Sequence, residues 1–403
     1  MACSCDVAIV GGGIGGLVLA RSLLLQSMSV TVFEQDTELR EIGAGIALGG
    51  NATRLLERLG VRLDAVANVP PTLELRSWRD GQPIWSHPIG EWYRTEVGAP
   101  YLTLHRATLQ RRLAEAVPSD RIELGRRLIA LSDEREGVRL HFEGREDVVA
   151  RVVVGFDGVQ STVRQFVCGD VQPRQSGEIG LRGVIPVERS QELPTPMSLH
   201  LWCGPETHAV FYGLDNGGLI NLLLVHKPPR PPAWARSSNR VGATRDEALQ
   251  LFGTYGWDER ILGLVGDIEG DMSLWALADL PRLPRWSRGR AILLGDAAHA
   301  PLPHQGQGGG MAIEDAYTFG AILADRGLDD PGRAFDTFEK FRKTRTTMVQ
   351  AYSRAAGRAY KLAGGAAASR DKSWPHLPER IGWIHAHRAE EAVAAVTGAG
   401  TET

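Results

Sequence analysis

Val7-Ala8-Ile9-Val10-Gly11-Gly12-Gly13-Ile14-Gly15-Gly16 decides the fold. Its four apolar residues read as a buried strand, and the next six fit G-x-G-x-x-G at the mouth of a helix predicted over 17–26. Gly11 permits the tight turn, Gly13 lets the backbone reach a pyrophosphate, and Gly16 lets the helix pack closely on the sheet. A second strand, Val30-Thr31-Val32-Phe33, ends at Glu34, so a carboxylate arrives where a ribose needs an acceptor for its hydroxyls. The βαβ unit is complete, and Gly11, Gly13, Gly15, Gly16 and Glu34 are its candidate cofactor contacts. The predicted class is α/β.

Two later segments repeat the design. The apolar run 290–294 leads into Gly295-Asp296, and the chain continues Pro303-His304-Gln305-Gly306-Gln307-Gly308-Gly309-Gly310 into a predicted helix. Asp296 suits sugar hydroxyls. Gly308 and Gly309 let backbone approach a ligand, and the free N–H groups of the helix start carry partial positive charge. The strand Val152-Val153-Val154 runs into Gly155-Phe156-Asp157-Gly158, an Asp-Gly turn before another helix.

Together the three segments resemble the single-component (class A) FAD-dependent aromatic hydroxylases. In that family the segment after Asp296 binds the ribityl chain, and the one at Asp157 and Gly158, with Arg164, lies near the pyrophosphate and the nicotinamide path. Two further stretches, 41–54 and 99–109, resemble the salicylate-hydroxylase branch; Gly45 and Arg106 within them, and Arg40 just before the first, are the FAD contacts that the resemblance implies. Phe156 stands where the family has a small residue, and Gly50 where the branch has proline.

The resemblance implies a para-hydroxybenzoate hydroxylase-like fold: a Rossmann-like FAD-binding domain interleaved with an antiparallel-sheet substrate domain, and a helical C-terminus. The expected divisions are 1–75, 100–180 and 281–345 for FAD, 76–99 and 181–280 for substrate, and 346–403 for the terminal helices. It also implies non-covalent FAD, reduction by NADH or NADPH, and oxygen transfer from a flavin C4a-hydroperoxide to an electron-rich ring, a phenolic acid or hydroxylated heteroaromatic. A neutral histidine suits deprotonation of a ring hydroxyl. His304, before the glycine loop, is the first candidate. His226 is the second, on the predicted strand 219–226 with its ring expected in the substrate cavity. His299 reads as structural. An epoxidase or another flavin oxidoreductase on the same fold, or a flavin-binding protein without turnover, would share the cofactor motifs.

Composition agrees. With 403 residues the chain can bury a large core, and a net charge of −3 without basic runs gives no nucleic-acid signature. Cys3, Cys5, Cys168 and Cys203 suit neither a disulfide framework nor a zinc site, so a reducing cytoplasm and no metal are expected. No run reaches a membrane span. The expected partners are a small aromatic substrate and O2, in a monomer or homodimer. From residue 180 to 278 short alternating runs (180–187, 198–203, 208–214, 219–226) predict antiparallel strands. Helical spacing resumes over 246–264 and 335–360, and Gly364-Gly365 is expected to loosen the chain.

Overall fold

The computed structural model describes residues 3–39, 45–190, 192–236, 240–254, 256–268, 270 and 272–397. Cys3–Val10 lies between Val30–Phe33 and Val148–Gly155, parallel to both, and Ala291–Leu293 pairs in parallel beyond Val148–Gly155. Val7, Ile9, Val32, Val152, Val154 and Ile292 are fully buried, as continuous apolar strands of a doubly covered parallel sheet must be. The helix Ile14–Leu25 follows the first strand directly. At Gly16 a Cβ would come within 2.0 Å of the Gly11 carbonyl oxygen, so only glycine allows this crossing. Gly11 has φ +109°, open to glycine alone.

A second sheet is assembled in the order Arg240–Ala243, Met272–Asp279, Arg174–Pro186, Leu219–His226, Thr207–Leu214, Leu199–Gly204, Thr72–Ser77, Pro83–Pro88. It is antiparallel except where Thr72–Ser77 runs parallel to Leu199–Gly204. Alternation gives its two faces different work. Leu181, Phe211, Ile220, Leu222 and Leu224 bury one face with Phe252, Ile261 and Leu264 of two covering helices. Arg182, Val210, Asn221 and Leu223 belong to the other face, which lines a cavity. The expected divisions at 75/76, 180/181 and 345/346 fall inside the strand Thr72–Ser77, the strand Arg174–Pro186 and the helix Pro331–Tyr360.

The helical spacing over 246–264 is present, and one expectation further along needs correcting. The stretch 246–264 forms two helices, Arg245–Gly253 and Glu259–Gly266. A capping box of Thr244 and Glu247 starts the first; Gly256, at φ +65°, breaks the run, and Asp258 caps the second by accepting from the Arg260 N–H. Gly364-Gly365 opens a helix, Gly364–Asp371, instead of loosening the chain.

The helices Gly308–Arg326 and Pro331–Tyr360 are joined through a buried ionic cluster. The Arg342 guanidinium lies 2.5 Å from Glu314 and 2.6 Å from Asp315, all three without solvent exposure. Arg345 and Asn51 also donate to Glu314, each at 2.7 Å. Asp315 Oδ2 accepts from the Gly295 N–H at 2.9 Å and meets His299 Nε2 at 2.5 Å, so the loop after Asp296 is tied to the same cluster. Burial alone raises a carboxyl's pKa, but Arg342 with Arg345 outweighs it for Glu314, and His299 with Arg342 for Asp315; both are held at about 2.

Both carboxyls titrate below their ordinary values of 4.5 and 3.8, so their contribution to stability is complete above about pH 4.5 and drains away as pH falls toward 2. Arg342→Met leaves two buried carboxylates short of a cation and should cost about 3–5 kcal/mol. Urea unfolding at pH 7 measures it, and a loss below about 1 kcal/mol would show the cluster to be dispensable.

Candidate active site

Between the two sheets lies a cavity of about 1070 Å³. Gly11, Gly13, Gly15, Glu34, Gly45, Arg106, Asp157, Gly158, Asp296, His304, Gly308 and Gly309 all line it, although they come from separate parts of the chain. Gly16 does not, because its role is the helix crossing. Arg40 falls outside the described residues. His226 requires a correction: it shares the face of Ile220, Leu222 and Leu224, and its ring packs 6.2 Å from Phe252 beneath the covering helices. The strand is where it was expected, but its odd-numbered residues face the cavity.

Among the helix starts that line this space, two lack any side-chain or acidic cap. Ile14–Leu25 begins at Gly13 and Gly308–Arg326 at Gln307; neither has a side-chain cap or an acidic residue in its first turn, so their N–H groups remain available to an anionic or electron-rich ligand. A Cβ on Gly308 would meet no protein atom closer than 3.7 Å, so its missing side chain keeps cavity free. At Gly309 a Cβ would strike Ile46 at 2.7 Å.

The carboxylates divide their tasks. Glu34 Oε2 accepts from the Gly12 N–H at 2.7 Å and Oε1 from the Asp36 N–H at 3.0 Å, which holds the glycine turn and leaves lone pairs for a ribose. Asp157 is occupied locally: it accepts from the Ser161 hydroxyl at 2.5 Å and the Val163 N–H at 3.0 Å, while burial pushes its carboxyl up. Arg164 donates to the carbonyls of Val159, Val171 and Ala297, bracing the Asp-Gly turn against the segment after Asp296.

Both departures noted in the sequence are compensated. A Cβ at Gly15 would lie 2.4 Å from the Phe156 ring and one at Gly295 3.1 Å from it, so the large residue fits because two glycines make room. Gly50 donates its N–H to Tyr93 Oη at 2.9 Å, a bond proline cannot make. Tyr93 also meets His385 Nδ1 at 2.8 Å, fastening the C-terminal helix Leu377–His385 over the cavity.

His304 lines the cavity with its side chain almost fully buried, and its Nε2 lies 2.9 Å from Glu178 Oε2. Burial lowers its pKa against the pull of Glu178, so the imidazole is neutral. Arg182, Tyr212 and Asn221 were not singled out from the sequence. Asn221 accepts from the Gly45 N–H at 2.7 Å and ties the second sheet to the strand Gly45–Leu48, which pairs with Leu102–His105. The Arg182 guanidinium makes no hydrogen bond to the described residues; burial, and then the nearby Arg106, push its pKa down. The signal was present in Gly180–Leu181–Arg182, a charge inside an apolar alternating strand, but the face it occupies needs the register.

The donors, glycine cradles and helix starts fit FAD. A model of the FAD binding domain matches residues 4–351. The chain belongs to the FAD-dependent aromatic monooxygenases. It is 36% identical over 391 residues to a 3-amino-4-hydroxybenzoate 2-monooxygenase of Streptomyces platensis, covering 95% of this chain and 96% of that one. A 6-hydroxynicotinate 3-monooxygenase of Bordetella bronchiseptica is 31% identical, with 86% and 90% covered. Among solved structures, a salicylate hydroxylase substrate complex superposes with TM-score 0.83 at 27% identity, covering 98% of each chain.

In this monooxygenase Asp296→Ala should weaken FAD binding about tenfold to a hundredfold, the scale of a charge-assisted hydrogen bond of about 1.5–3 kcal/mol. The far-ultraviolet spectrum should stay unchanged. Wild-type FAD affinity in the folded variant would remove Asp296 from the cofactor site.

Proposed function

We propose that this monooxygenase hydroxylates a small aromatic acid, a hydroxybenzoate-type or hydroxylated heteroaromatic ring, at the expense of NAD(P)H and O2. The observation that carries the reading is Arg182, a cation on the cavity face of the second sheet with no carboxylate bonded to it among the described residues. A desolvated guanidinium is stabilised by an anion, and a carboxylate matches its planar fork. The substrates named for the relatives above, an aminohydroxybenzoate and a hydroxynicotinate, carry both a carboxylate and a ring hydroxyl.

In this reading the lobe of the first sheet holds FAD through Gly11, Gly13, Glu34, Arg106, Asp296, Gly308 and Gly309, and the second sheet receives the ring. Hydride uptake from NAD(P)H and delivery of one oxygen atom from O2 are the chemistry that bound FAD supplies. Arg182 orients the acid. His304, neutral and buried, takes the ring hydroxyl's proton and so enriches the carbon to be attacked. The Tyr360 hydroxyl donates to the His304 carbonyl at 3.3 Å and accepts from Gln305 at 3.0 Å, which keeps the imidazole in place. Apolar Leu199, Leu201, Val210 and Leu223 keep water from the ring. No helix among the described residues is long and apolar enough to cross a membrane. A monomer or homodimer in the NAD(P)H-supplied cytoplasm completes the reading.

His304→Ala should stay yellow but lose about 10²–10⁴ in hydroxylation rate, with NAD(P)H oxidation diverted to hydrogen peroxide. His226→Ala should keep wild-type coupling. The product formed per NAD(P)H consumed measures both, and the opposite pattern would move the base to His226. Separately, Arg182→Met should raise KM for aromatic acids at least about tenfold, the loss of one charged hydrogen bond, and leave carboxylate-free phenols unaffected. An equal effect on both substrate sets contradicts the anchoring role.

A further inference from the structure

His304 is one end of a buried charged row. Glu178 Oε2 lies 2.9 Å from His304 Nε2, and Glu178 Oε1 accepts from the Lys361 ammonium. All three residues are less than a tenth exposed. Glutamate and lysine are rarely buried this deeply unless paired. The chain spends local structure to bring them there. Glu178 sits where the strand Arg174–Pro186 shifts register between Gln175 and Ile179, with Gly177 at φ +80° and the Ser176 hydroxyl bonded to the Leu277 carbonyl. Lys361 ends the helix Pro331–Tyr360, and its carbonyl accepts from the Glu206 N–H at 3.2 Å.

The other titratable groups around the imidazole carry no charge at neutral pH. His208, on the strand Thr207–Leu214, has its ring 5.2 Å away and is held well below its ordinary pKa by burial, then by His304 and Lys361. Tyr360 is pushed up by burial. Beyond Lys361, Lys227 and Glu206 act on the ammonium from the protein's exterior. Among the described residues, Glu178 and Lys361 are therefore the two charges that face His304. They act on it in opposite senses, since a carboxylate favours the imidazolium and an ammonium opposes it.

We propose that Glu178 and Lys361 are positioning residues for His304: the carboxylate, 2.9 Å from Nε2, acts on the buried ring by charge at close range, and the ammonium on the carboxylate's other oxygen offsets that action. Both ring nitrogens are buried without a hydrogen-bond partner among the described residues, so the couple reaches the ring through charge and not through a bond. The inference rests on the reading of His304 as the base. It adds that the pH at which the base works is set by two residues that do not touch the substrate.

The test follows the His304 ring by 15N NMR in the histidine-labelled, FAD-loaded protein, beside the pH profile of kcat/KM for product formation. Lys361→Met should move the His304 titration and the acidic limb of the profile up by about one unit or more, because the carboxylate then acts alone. Lys361→Arg should restore both. Glu178→Gln should move them down. Glu178→Asp, a gentler change, should give a smaller shift in the same direction. Titrations that coincide with wild type in both folded, yellow variants, Lys361→Met and Glu178→Gln, overturn the proposal. If instead His304→Ala retains rate and coupling, the base assignment fails, while the NMR titrations still show whether the couple governs the ring.

Discussion

Arg342 is the interaction on which the architecture depends. One guanidinium, without exposure to solvent, bonds the adjacent carboxylates Glu314 and Asp315. Through Asp315 it reaches His299 and the backbone of Gly295, and through Glu314 it reaches Arg345 and Asn51. The glycine turn before Asp296, the start of the helix Gly50–Arg58, the helix carrying Gly308 and the long helix ending at Tyr360 thus share one ionic core. Such a cluster is strongly directional, because each buried charge tolerates only positions in which its partners are met. A cofactor site assembled from distant segments needs that kind of constraint.

Much of this was legible in the sequence, for reasons that differ along the chain. The glycine turn at 11–16 announced itself because three physical demands, a positive φ, close backbone approach and helix packing, each exclude every other residue. Asp296 and the helix start at Gly308 were legible from the apolar strand before them and the glycine run between them and the helix. His304 was placed by its neighbours. Its partners were not: Glu178 lies about 130 positions earlier and Lys361 nearly 60 later, and nothing local in either stretch points to a shared site. His226 shows the limit of alternation. The period of two identified the strand Leu219–His226, yet which face meets the cavity depends on what covers the other, and Phe252 and Ile261 come from two helices whose docking no local pattern gives.

The departures from the family pattern carry the same lesson in reverse. Phe156 is tolerated because Gly15 and Gly295 lack the Cβ atoms it would strike, and Gly50 replaces a proline's rigidity with a hydrogen bond to Tyr93. Each compensation is distant in sequence and adjacent in space. The C-terminal helix joins the site in this way, since Tyr93 also binds His385.

The central claim is that this cavity holds FAD and an aromatic acid together so that one atom of O2 enters the ring. The most direct test is turnover under oxygen-18 gas with a panel of hydroxybenzoates, aminohydroxybenzoates and hydroxynicotinates, followed by product mass and NAD(P)H consumption. The account predicts that at least one acid stimulates NAD(P)H oxidation and emerges with a single oxygen-18 atom on its ring, in near one-to-one proportion to NAD(P)H. Stimulated oxidation that yields only hydrogen peroxide from every acid, or label entering from water, would contradict it.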